Sequence, residues 1–122
     1  MVHARLRDVM LRAPGAGELA GERVQRGRAE HPVCGDQVEL SVRIVGDRLA
    51  ELRWLARGCP ASMAVAALAG EVLPGVAVAE APAILRTALA AHGGLAAHER
   101  HAEGLLLRAL AAAAAAPAGA GS

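Results

Sequence analysis

The chain has 122 residues, 54% of them hydrophobic, with 13 basic and 12 acidic side chains and a formal net charge of +1. That is one domain with one core. With near-neutral charge, no Phe or Tyr and a single Trp, it has no basic stripe interleaved with aromatics. Nucleic-acid binding is therefore not expected. There is no uninterrupted apolar run of about eighteen residues, so no membrane span is expected either.

The N-terminal ARLRDVMLRAP places Leu6, Val9 and Met10 at helical spacing and stops at Pro14-Gly15. Its charges and the missing apolar centre argue against a signal peptide. Two cysteines without an export signal point to free thiols in a reducing cytoplasm. A loop, APGAGELAGE, leads into RVQRGRAE, which reads as a short edge strand. QVELSVRIV then alternates, with Val38, Leu40, Val42 and Ile44 on one face and Glu39, Ser41 and Arg43 on the other. Gly46-Asp47 supplies the turn, and RLAELRWLARG resumes as a strand in which Leu49, Leu52 and Trp54 are spaced less regularly.

After Cys59 the pattern changes. PASMAVAALAGEVLPG is small and apolar on every side, with Pro60 suited to a first helical turn, and predicts a buried helix. VAEAPAILRTALAAHGG predicts a second, ended by Gly93-Gly94. HERHAEGLLLRALAAAAAA predicts a third, rich in helix-forming alanine. The order gives an α+β fold, a small antiparallel sheet of about three strands with helices packed on one face. Residues 1–116 form the single domain and 117–122 a flexible tail. A core without large aromatics must rely on close backbone approach.

The two cysteines flank the hairpin. Cys34, in HPVCGD, precedes its first strand, and Cys59, in GCPAS, follows its second. A hairpin returns its ends to one place, so both thiols should meet at one edge of the sheet, with Asp36 pointing to the same spot. Cys59 also stands at a predicted helix N-terminus, a position that favours thiolate, the form that binds soft metals and attacks sulfur. Gly35 and Gly58 would let backbone come close to a bound ion or cluster. Without a site, the same cysteines would simply be small core hydrophobes. Two thiols and a carboxylate are one donor short of a closed tetrahedral site. Phosphate loops, Ser-His-Asp arrangements and paired general acid/base carboxylates do not stand out.

HPVCGD and GCPASMA resemble the motifs of the U-type iron–sulfur cluster assembly scaffolds (IscU, SufU and the N-terminal domain of NifU). Those show Asn-Pro-x-Cys-Gly-Asp, Gly-Cys-x-x-Ser-x-Ala and a third cysteine near the start of the last helix. LRAPGAGEL, LAGEVLPGVAVAEA and HGGLAAHERHAEGLLLRAL extend the resemblance along nearly the whole chain. It implies a non-enzymatic scaffold that holds a nascent [2Fe-2S] cluster, iron or, as the alternative, zinc. A cysteine desulfurase would supply sulfur, and apo iron–sulfur proteins would receive the product. Carried over by position, Cys34, Asp36 and Cys59 match ligands, with Asp36 the labile one, and Ser62 matches a serine expected to cap or pack.

The departures are specific. Ala102 stands where the third cysteine belongs, His31 replaces the Asn before Pro32, and GGLAAHER lacks the Leu-Pro-Pro-Val-Lys segment of one branch. His101 matches a histidine common in the family and is the expected fourth ligand. His98, one predicted helical turn before Ala102, is the alternative. His3, His31 and His92 are expected at the surface, and Glu99 and Glu103 as solvated charges. Two further readings are a zinc-dependent sulfur-transfer protein that accepts persulfide, and a module that keeps the fold and has lost turnover.

Overall fold

The structure, a computed structural model, describes residues 2–117. Its centre is the hairpin of β2 (Gln37–Val45) and β3 (Arg48–Arg57), joined at Gly46-Asp47, with β1 (Gln25–Glu30) antiparallel on the other side of β2. The alternation in β2 is reproduced: Val38, Leu40 and Val42 are fully buried. The irregular spacing in β3 has a cause. Pairing runs Arg43 with Glu51 and then Ile44 with Leu49, which leaves Ala50 as the extra residue of a β-bulge. The bulge resets the alternation, so Leu49, Leu52 and Trp54 all reach the core.

Helices cover one face of this sheet. Helix α1 (Ala4–Arg12) buries Leu6 and Val9 against α2 (Pro60–Val72). Helix α2 carries apolar residues on all sides and is buried accordingly, between α1, β3, α3 (Ala81–Ala91) and α4 (His101–Ala115). Close backbone approach does replace aromatic bulk. A Cβ on Gly27 of β1 would collide with Ala109 O and Ala113 N of α4, and one on Gly70 would collide with Pro14 O. The Trp54 indole donates to that same Pro14 carbonyl at 2.7 Å.

The loop after α1 pairs beside Trp54 at the edge of β3, then crosses the open face of the sheet to reach β1. Ser41, outward by alternation, is consequently buried, its Oγ accepting from Leu19 N at 2.9 Å. The predicted tail from residue 117 lies, beyond Pro117, outside the described residues. No helix among the described residues is long and apolar enough to cross a membrane.

Candidate metal centre

Hairpin closure sets the site. Gln37 pairs with Arg57, so the chain entering β2 and the chain leaving β3 run side by side, with Asp36 beside Gly58 and Cys59. A Cβ on Gly58 would collide with the Asp36 carboxylate, and Gly58 also adopts φ +117°. Its role is thus to leave room for Asp36. Gly35, at φ +74°, takes the left-handed conformation its turn requires and has open space around it.

Cys59 is the N-cap of α2, with Pro60 in the first turn as expected. Asp36 Oδ1 accepts from Cys59 N at 3.1 Å, and Asp36 Oδ2 accepts from Ser62 Oγ at 3.0 Å. The matched serine therefore holds the carboxylate itself. Helix α4 begins at His101, whose Nε2 lies 3.1 Å from Asp36 Oδ2 and 3.6 Å from Cys59 Sγ. Burial pushes the Asp36 carboxyl up. Hydrogen bonds from the Cys59 thiol, His101, the Cys59 amide and Ser62 outweigh it and hold the group at about 2, from an ordinary 3.8.

One donor atom each from Asp36, Cys59 and His101 lie within 4.8 Å of one another. Three donors of a tetrahedral metal with legs of 2.0–2.3 Å would sit about 3.5 Å apart, close to the separations found here. A thiolate, a carboxylate and an imidazole also suit zinc and iron alike. Cys34 stands outside this trio, on an exposed loop. It lines, with Cys59, His98 and His101, a cavity of about 460 Å³ whose other walls are Val2, Arg7, Met10, Pro60, Ala61 and Glu99. Ala102 is fully buried in the core.

Four surface assignments change, and His98 takes another place. Residues 97–99 form a 3₁₀ turn and α4 starts only at His101, so His98 is not one α-helical turn before Ala102; it is exposed on the cavity rim. Glu99 is buried, its Oε1 accepting from Ala96 N at 3.0 Å to close that turn. Glu103 is half-buried and pairs with Arg86 at 3.2 Å. His31, expected at the surface, is half-buried and packs edge-on against His101 with ring centroids 4.9 Å apart. The replaced Asn before Pro32 was the signal for it, because an Asn there would be expected to bond the backbone just ahead. His3 is exposed as expected and caps α1, and His92 is half-buried.

A three-stranded antiparallel sheet, four helices and a thiol, carboxylate and imidazole gathered at the hairpin ends define a small α+β domain with one donor-rich pocket. Residues 6–118 match the model of the NifU-like N terminal domain, and the chain belongs to that family. It is 33% identical over 85 residues to the iron-sulfur cluster assembly scaffold protein IscU 1 of Archaeoglobus fulgidus, covering 69% of this chain and 56% of that protein. It is 35% identical over 83 residues to the bifunctional protein NifU/MnmA of Rubrobacter xylanophilus, covering 67% of this chain and 17% of that one. The chain thus spans little more than half of one relative and a small part of the other.

Solved structures share the fold. The N-terminal part of a nitrogen-fixing NifU-like protein from Brucella abortus superposes with a TM-score of 0.67 at 16% identity, covering 89% of this chain and 88% of that one. A candidate scaffold of the SUF system from Fervidobacterium islandicum gives a TM-score of 0.68 at 16% identity, covering 92% and 95%.

Proposed function

We propose that this member of the scaffold family carries an iron–sulfur cargo, a [2Fe-2S] cluster or iron, through Cys59, Asp36, His101 and Cys34. The observation that carries the reading is the convergence of Asp36, Cys59 and His101 donor atoms within 4.8 Å, beside a cavity that Cys34 also lines. In its loaded form the protein supplies the cargo with two soft thiolates, one imidazole and one hard carboxylate. Cys59 and His101 are held by the first turns of two packed helices. Asp36 is the exchangeable donor, because its Oδ2 has Ser62 and His101 to return to when the cargo leaves. Sulfur comes from a cysteine desulfurase and the assembled cluster passes to apo-proteins. The setting is the cytoplasm, where both thiols stay reduced. The protein acts as a carrier and turns over no substrate of its own.

The test is metal and sulfide analysis of protein purified without oxygen, followed by reconstitution with iron and a sulfide source. Iron and acid-labile sulfide bound together, and lost in Cys59→Ala, are expected. Zinc alone would favour the persulfide-accepting reading. A folded protein that retains neither metal would refute both.

A further inference from the structure

Residues 31 to 36 close on themselves, and one side chain does much of the closing. The His31 amide donates to the Asp36 carbonyl at 2.8 Å, and the Gly35 amide to the His31 carbonyl at 2.9 Å. His31 Nδ1 accepts from two amides at once, Val33 N at 3.2 Å and Cys34 N at 3.1 Å. Pro32, Val33, Cys34 and Gly35 are all exposed, and Val33 is 86% exposed. The loop that carries Cys34 therefore draws little support from the core, and an exposed loop with few buried contacts opens easily. What shapes it is the imidazole. With Nδ1 accepting, the neutral ring carries its proton on Nε2. The same ring meets His101 edge-on at 4.9 Å and 64°. One side chain thus touches both the backbone of the remote thiol and the imidazole of the gathered trio.

We propose that His31 is the positioning residue for Cys34, holding that thiol over the cavity shared with Cys59 and His101 so that it completes the donor set. The inference rests on the reading above that Cys34 is a ligand, and adds the reason an exposed cysteine can be one. The chemistry needed at position 31 is a planar acceptor that reaches two and three residues ahead. An Asn carbonyl oxygen meets that requirement and an aliphatic side chain does not. His and Asn are therefore equivalent here, although they differ in size and shape.

Cobalt(II) is the probe, because thiolate-to-cobalt charge-transfer absorbance scales with the number of bound thiolates. The wild type should show the intensity of two thiolates and Cys34→Ala about half of it. His31→Ala should fall to the Cys34→Ala level, and the double variant should fall no further. Hydrogen exchange of the Val33 and Cys34 amides in metal-free protein should accelerate with it. His31→Asn should restore both readings. His31→Phe keeps the ring wall against His101 while removing Nδ1; it should lose both and serves if the alanine variant does not fold. Full two-thiolate intensity in His31→Phe would overturn the proposal, as would intensity lost in His31→Phe and not recovered in His31→Asn. Wild-type intensity in Cys34→Ala would instead remove Cys34 from the site, and the underlying ligand assignment would fail first.

Discussion

Asp36 offers the sharpest test of the site without any metal present. It is 2% exposed, yet its carboxyl is held at about 2, because four hydrogen-bonding partners outweigh the desolvation that pushes it up. A folded-state value below the unfolded one means that the ionised carboxylate stabilises the fold. That stabilisation is fully present above about pH 4 and is lost as pH falls toward 2. The difference between 3.8 and about 2 corresponds to about 2 kcal/mol, of which roughly half is gone by pH 3. Asp36→Asn keeps an acceptor for Cys59 N and removes the titration. Urea unfolding of metal-free wild type and variant should be run at intervals from pH 6 to pH 3. The stability gap between them should narrow by roughly 1 kcal/mol over that interval. Parallel curves down to pH 3 would show that the network around Asp36 does not hold its charge in the folded state, and the geometric argument for the site would weaken with it.

Three further outcomes are expected. Gly58→Ala places a methyl group against the Asp36 carboxylate at a backbone φ of +117°, and should cost at least about 2 kcal/mol in denaturant unfolding while also weakening metal uptake. His101→Ala removes the imidazole that links Cys59 and Asp36, and should lower zinc retention at least about tenfold in competition with a chelator. Ala102→Cys adds a sulfur in the fully buried position next to His101; it should cost about 1–3 kcal/mol through overpacking, yet lengthen the lifetime of a reconstituted cluster measured by visible absorbance. A folded Ala102→Cys protein with unchanged cluster lifetime and zinc affinity would mean that position 102 does not face the donor set.

The backbone of this fold was legible because its signals are local. Strict alternation marks β2, Gly46-Asp47 marks the turn, and Pro60 just inside α2 marks its start. Even the irregular Leu49, Leu52 and Trp54 spacing contained the bulge, once Ala50 is seen as the unpaired residue. Side-chain partnerships across long sequence separations were not legible in the same way. Ser62 and Asp36 are joined by a hydrogen bond across the whole hairpin, and no composition or period announces it. Glu99 read as solvated because charged residues near a helix start usually are. It is buried because the chain enters α4 through a 3₁₀ turn whose first amide needs an acceptor. His31 was hidden for another reason, since nothing in its sequence neighbourhood shows that Nδ1 accepts from the amides of Val33 and Cys34.

The contacts among the donors also bear on what this site can carry. Cys59 Sγ lies within hydrogen-bonding reach of His101 Nε2 and Ser62 Oγ, both of which bond Asp36 Oδ2, and no buried side-chain nitrogen or oxygen among the described residues lacks a partner. The core is built from Leu, Val and Ala of the sheet and helices, and the donors bond one another beside it. Loading must exchange those contacts, each worth about 1 kcal/mol net, for metal bonds, and unloading restores them. A donor set that bonds itself in this way weakens net metal binding, which suits the carrier role proposed above.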